Sequence, residues 1–302
     1  MDGVGPSSNF IIRLCSPCLC SPWPMLLEFG RIGTSRTDVS PLLTPKWIFN
    51  AATVLLTSPL ALAQIQTYSV LSWYQPGPSR ISVLLPRSAN PPLRVVYILP
   101  VEPGAQVAFG DPLKEIERLG LNDKYGVAFV KPEFHDAPWY GDHPVDLRKR
   151  QESHFLDCVM PYVTATLPVV NTKEGTFLVG FSKSGWGAFS LALRHPDRFE
   201  GIAVWDAPLM QTKPIRWEMP SIFGTQENFD KYRIDLLLRA AGSLPDLRIV
   251  LLGYGLFRSD VVSAHELMQS LDISHTFRDG PKRVHRWDSG WLREAIEILL
   301  ET

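Results

Sequence analysis

One junction constrains this 302-residue chain more than any other: the apolar run GTFLVGF (175–181) passes without a spacer into SKSGWGAFSLALRH (182–195), whose apolar residues recur at helical spacing. A buried strand that turns straight into a helix leaves one side chain, Ser182, at the tip of the turn. Bulk at Gly180 or Ser184 would hold strand and helix apart, so small residues at both are a mechanical requirement of so tight a turn.

The rest of the sequence supplies a frame for that turn. From residue 64 onward short β-branched runs alternate with amphipathic stretches, the pattern of a mainly parallel sheet with helices on both faces. TYSVLSWY and RISVLLP, joined by Gln75-Pro-Gly-Pro-Ser79, are expected to pair as a hairpin. Then follow LRVVYILPV, a helix opened by Asp111-Pro112 and closed by Gly120, YGVAFVKP, and a longer helix over about 147–166. After the central junction come GIAVW, a helix near 226–241, LRIVLLG, the helix SDVVSAHELMQSL, ISHTF and a last helix through Leu300, for eight strands in all. The expected class is α/β, with a mostly parallel eight-stranded sheet.

In such a sheet ligands sit beyond the carboxyl ends of the strands, and that is where chemistry is to be sought. Ser182 stands in a strand–turn–helix context that suits a nucleophile, but a hydroxyl needs a base to take its proton. His285 follows the last strand on a loop of its own, whereas His275 lies within that strand and His143, His154, His195 and His265 belong to helices or earlier loops. The acid is expected after a strand between the serine and the histidine. Asp260, beyond LRIVLLG, is favoured, although Ser259-Asp260 is also a natural helix N-cap; Asp206, at the end of GIAVW, is the rival, and Asp279 a third. An oxyanion would be held by the backbone N–H of Lys183 and by one from Leu99-Pro100-Val101-Glu102-Pro103-Gly104; prolines have no N–H to give, and Glu102 is favoured over Val101 and Gly104. Trp139, Tyr140, Trp186 and Trp287 are candidates for the wall of a pocket.

The segments LPVEPG, PWYGDHP, GFSKSGWGAFSLALRHP, WDAPL, FGTQENF and HRWDSGW resemble a bacterial branch of the esterase group within the α/β-hydrolases, of the esterase-D and feruloyl-esterase type. The resemblance covers about residues 66–302. It implies the α/β-hydrolase fold and hydrolysis of small acyl or carbohydrate-linked esters without a cofactor, and it carries over Ser182, Asp260 and His285 by position. The usual His-Gly pair after the third strand is replaced by Pro100-Val101. Acyl transfer to a sugar or lipid hydroxyl, as in mycolyltransferases, and a non-catalytic binding module on the same fold are the alternatives.

Composition narrows the partners. Thirty Lys and Arg against 31 Asp and Glu give a net charge of -1, so no excess of positive charge draws in a nucleic acid. A small-molecule ester is the expected partner; the sequence does not fix the oligomeric state. Cys15, Cys18 and Cys20 lack a His or fourth Cys at metal-ligand spacing, Asp142 and His143 are too few ligands for a metal, and Cys158 stands alone in the body of the chain. Lys46 followed by WIFNAATVLLTSPLALA (47–63) reads as a secretory signal, which Asn50, Thr53, Thr57, Ser58 and Pro59 make a poor membrane span. The expected organisation is an unstructured leader at 1–45 reflecting start-site choice, a signal at 46–63 and a catalytic domain at 64–302. The mature protein would be secreted or periplasmic, or cytoplasmic if the signal is unused.

Overall fold

The structure, a computed structural model, describes residues 14–15 and 65–301 apart from 105, 243, 245 and 254. The expected signal at 46–63, and the expected leader apart from residues 14–15, lie outside the described residues.

Each of the eight expected runs forms a strand. These are β2 (Gln66–Ser72), β3 (Ser79–Leu84), β4 (Arg94–Ile98), β5 (Val127–Pro132), β6 (Thr176–Phe181), β7 (Gly201–Trp205), β8 (Arg248–Leu252) and β9 (Thr276–Arg278), while Leu14–Cys15 adds a two-residue β1 beside β2. The order across the sheet is β1-β2-β3-β5-β4-β6-β7-β8-β9. β2 and β3 form the expected antiparallel hairpin, with Gln66 opposite Val83, and β3 also runs antiparallel to β5; from β5 to β9 every pairing is parallel. The carboxyl ends of β4 to β9 therefore open on one rim of the sheet.

Strand alternation divides the core into two layers. Val95 and Tyr97 of β4 join a cluster on one face with Phe155, Phe189 and Val204, while Val96 and Ile98 join Leu113, Ile116, Trp291 and Leu292 on the other. The helices that cover those faces are α1 (Pro112–Leu119), α2 (Met160–Thr166), α3 (Ser182–Arg194), α4 (Arg258–Ser270) and α5 (Trp291–Leu300). α1 shows how local chemistry sets such boundaries. The Asp111 carboxylate accepts from the N–H of Leu113 and Lys114, Pro112 opens the first turn, and Gly120 takes the left-handed φ of 65° that ends it.

The longer helix expected over 147–166 is broken. A short 3-10 turn at Leu147–Lys149 and one helical turn at Gln151–Ser153 lead into a π-helix at His154–Val159 before α2 begins. That wider turn starts at a buried histidine whose two ring nitrogens lie 2.8 Å from Ser72 Oγ and 2.8 Å from Ser79 Oγ, so it joins the helical layer to the β2–β3 hairpin. The segment expected as one helix near 226–241 is likewise two, Gln226–Asp230 and Ile234–Ala241.

Burial, with the charge of His135 acting the same way, pushes the pKa of His154 down to about 3. The unfolded chain binds this proton near pH 6.5 and the folded one only near 3, so the folded state loses stability as pH falls through that window and keeps it above. His154→Asn is expected to unfold at a lower temperature than wild type at neutral pH but to lose less between about pH 7 and about pH 4, as read by thermal melts. An equal loss in both proteins would contradict this.

Candidate active site

β6 ends at Phe181, and Ser182 begins α3 with a φ of 54°, a left-handed conformation that costs a non-glycine residue of order 1–3 kcal/mol unless its surroundings hold it. Here they do. A Cβ at Gly180 would lie 2.3 Å from the carbonyl oxygen of Ser184, backbone that cannot swing away, so only glycine lets strand and helix close to this distance. Ser184 Oγ accepts from the N–H of Phe181 at 3.2 Å and donates to its carbonyl at 2.9 Å, bracing the turn from inside. The first N–H groups of α3 have no carbonyl one turn earlier in the helix to bond, which makes this end an electropositive platform beneath Ser182.

The carboxylate that meets His285 is that of Asp206, not that of the favoured Asp260. β7 runs beside β6, and one residue past its end the backbone of Asp206 turns to a φ of 41° and accepts from the N–H of Ser182 at 3.2 Å. Its side chain points to the rim, where Oδ2 accepts from His285 Nδ1 at 2.6 Å and Oδ1 from the Phe257 N–H at 2.6 Å. The carboxylate is 1% exposed. Burial alone would raise its pKa, but the hydrogen bonds from His285, Phe257 and Leu256 outweigh it and hold the carboxyl below its ordinary value.

Asp260 lies in the first turn of α4, where Oδ1 accepts from the Met210 N–H at 3.0 Å and from Gln211 Nε2 at 3.4 Å, clamping the loop that follows β7. Asp279 pairs with Arg258. The reason lies in the chain after β8. It supplies donors to Asp206 rather than an acid of its own, and Gly255 permits the approach, since a Cβ there would sit 2.3 Å from Asp206 Oδ2.

His285 is 20% exposed at its side chain and stands among three rings: Phe181, Phe257 and Phe109, at centroid distances of 4.9, 5.7 and 5.8 Å. With Nδ1 bonded to Asp206, Nε2 is the nitrogen left for chemistry. Phe181, immediately before Ser182, thus packs directly against the imidazole, so Ser182, Asp206 and His285 gather at one end of the sheet. Phe109 and Phe257 carry no motif, and sequence reasoning missed them; Gly253 and Gly255, so close after a buried strand, were the one available signal for the Asp206 wrap. The remaining histidines are engaged elsewhere: His143 Nδ1 accepts from the N–H of Val145 and Asp146, His195 Nε2 meets Glu152, and His265 meets His275.

The loop after β4 reaches the same rim. Tyr140 Oη donates to the Pro100 carbonyl at 2.6 Å, and the Glu102 carboxylate forms an ion pair with Lys183 Nζ. The two residues expected to offer oxyanion N–H groups are therefore tied to each other through their side chains. The expected aromatic wall is mostly core instead. Trp139, Tyr140 and Trp186 are fully buried, because Gly187 leaves room for the Tyr140 ring where a Cβ would stand 2.0 Å away; Trp287 lines a cavity at the site. Trp217, stacked on Trp139 and set edge-on to Phe257, is an exposed aromatic there. Among the described residues no group of three or more His, Cys, Asp or Glu is placed to hold a metal.

The family model Esterase, described as "Putative esterase", matches residues 128–261, a stretch that includes Ser182 and Asp206 and ends short of His285. Solved structures of the α/β-hydrolase fold superpose on the chain along most of their own length. The chain has the α/β-hydrolase fold. FphF, a fluorophosphonate-binding serine hydrolase of Staphylococcus aureus, is 16% identical with a TM-score of 0.65, covering 79% of this chain and 98% of its own. The S-formylglutathione hydrolase of Agrobacterium tumefaciens is 16% identical at 0.62, covering 79% and 96%. The CE1 ferulic acid esterase of Anaeromyces mucronatus is 14% identical at 0.57, covering 80% and 90%. No curated protein matches the sequence.

Within this fold the two carboxylates that sequence left in competition are separable by experiment. Asp206→Asn is expected to lower kcat for an activated ester by about 10³–10⁴ by leaving the imidazole in the wrong tautomer. Asp260→Asn is expected to leave kcat within about threefold while lowering the melting temperature, because its partners are backbone and amide groups of a loop. The reverse ranking would reject the assignment.

Proposed function

We propose that the chain is a serine carboxylesterase acting through an acyl-enzyme. The observation that carries this reading is the 2.6 Å bond from His285 Nδ1 to a buried Asp206, made beside an elbow that presents Ser182. Ser182 Oγ attacks the ester carbonyl while His285 Nε2 takes its proton; the imidazolium gives that proton to the departing alkoxide, and water repeats the sequence to release the acid. Asp206 stays ionised throughout, fixing the tautomer and stabilising the imidazolium. The N–H of Lys183 and one from the Val101–Gly104 loop, which we take to be that of Glu102, stabilise the oxyanion.

The substrate we propose is a small acyl or carbohydrate-linked ester. Trp217, Leu256 and Val284 are exposed, and each lies on a loop that shapes the site, so an apolar group next to the scissile bond finds matching surface. The match to the Esterase family supports the same reaction class. Ser182→Ala is expected to abolish turnover of p-nitrophenyl acetate and covalent labelling by a fluorophosphonate while leaving the melting temperature near that of wild type. Labelling that persists in this variant would reject Ser182 as the nucleophile.

A further inference from the structure

Away from the catalytic rim, a cavity of about 440 Å³ opens between α2, the chain that enters β6 at Thr176, and Asp197 and Arg198 just ahead of β7. These are the amino ends of the strands, and Ser182, Asp206 and His285 have no part in its lining. The volume is in the range of sites that hold small organic molecules, roughly 300–1,000 Å³.

Tyr97 of β4 lines the same cavity. Its ring is fully buried and stands edge-on to Phe155 at 5.3 Å, yet its Oη has no hydrogen-bond partner among the described residues. A buried hydroxyl without a partner is costly, and phenylalanine would fill the same space without that cost. Burial pushes the phenol pKa up against the opposing charge of Arg198, so the group stays an O–H donor.

The charges of the lining add to that donor. Lys173 and Arg198 face Asp197 as the single carboxylate of the wall, while Asp157, which also acts on Arg198, stands outside it. The threonines present the opposite polarity: Thr164 Oγ1 donates to the Pro161 carbonyl at 3.2 Å, Thr172 Oγ1 to that of Glu174 at 3.0 Å, and Thr176 Oγ1 to that of Thr172 at 2.7 Å. With their hydrogens spent, these oxygens offer a ligand only acceptors.

We infer that this cavity is a second binding site, separate from the catalytic rim, for a small carboxylate that carries hydroxyl groups. The ligand's carboxylate accepts from the Tyr97 O–H and pairs with Arg198 and Lys173, while its hydroxyls donate to the threonine oxygens. The site does not depend on the esterase reading.

Calorimetric titration of the full chain tests this, with D-gluconate and L-malate as probes, sorbitol as the neutral match of gluconate, and sulfate as charge without a hydroxylated body. At least one of the two acids is expected to bind saturably, and about tenfold or more tighter than sorbitol and sulfate. Tyr97→Phe and Arg198→Gln are each expected to weaken that binding by about tenfold or more, since each removes a hydrogen bond to a charged group. Tyr97→Phe is also expected to melt no lower than wild type, because the hydroxyl it loses bonds nothing within the fold. Absence of saturable binding by both acids, equal binding of sorbitol or sulfate, or unchanged affinity in both variants overturns the inference. A lower melting temperature of Tyr97→Phe overturns it too, by showing the hydroxyl to be used by the fold itself. Competition of the bound acid with p-nitrophenyl acetate would put it at the catalytic rim and likewise overturn the second site, leaving the esterase reading standing.

Discussion

A carboxylate that is almost wholly shielded from water stays charged only when the protein replaces the water's hydrogen bonds, and Asp206 is the place where this fold does so. Three elements are drawn together by that one requirement. β7 delivers the side chain, the chain after β8 folds over it to donate the N–H groups of Leu256 and Phe257, and the loop after β9 brings His285 to its outer oxygen. The backbone of the same residue joins in, since its carbonyl receives the Ser182 N–H and its N–H reaches Leu252. Ser182, Asp206 and His285 are therefore located relative to one another by hydrogen bonds that share a single residue.

Close packing makes the arrangement rigid. Glycine at 180 lets α3 begin against β6, glycine at 255 lets a loop touch the carboxylate, and glycine at 187 admits the Tyr140 ring, whose hydroxyl then holds the Pro100 carbonyl. The buried side chain of Gln151 supports that tyrosine, accepting from the N–H of Trp139 and Tyr140 and donating to the Ala137 carbonyl. The loop bearing Glu102 is thus anchored from below by Tyr140 and from the side by Lys183. Preorganised donors of this kind are what stabilise developing charge, because they need no reorganisation during reaction.

The frame was legible in the sequence wherever the signal was local. Eight strands, the hairpin, the capped helix after Asp111 and the Ser182 turn follow from short stretches whose apolar period and small residues admit one reading. His285 was legible for a related reason: it stands alone on the loop after the last strand. The carboxylate that meets His285 was not, because Asp206 and Asp260 both follow strands and both satisfy the chain order. What separates them is which carboxylate a neighbouring loop wraps, a tertiary fact. The buried aromatics show the same limit. Trp186 follows Ser182 in the same helix, and Trp139 and Tyr140 lie on the loop after β5, yet their side chains turn into the core, a direction set by the space at Gly187 and by partners such as Phe223 and Phe229. The π-helix at His154 was equally hidden, since the histidine's partners lie more than seventy residues away on β2 and β3.

The account stands on the bond between Asp206 and His285, and proton NMR reads it directly. The Nδ1 proton of an imidazole bonded to a buried carboxylate resonates far downfield and is protected from exchange. Such a resonance is expected in wild type and in Asp260→Asn, and is expected to vanish in Asp206→Asn. A signal that survives loss of Asp206 and disappears with loss of Asp260 would contradict the account.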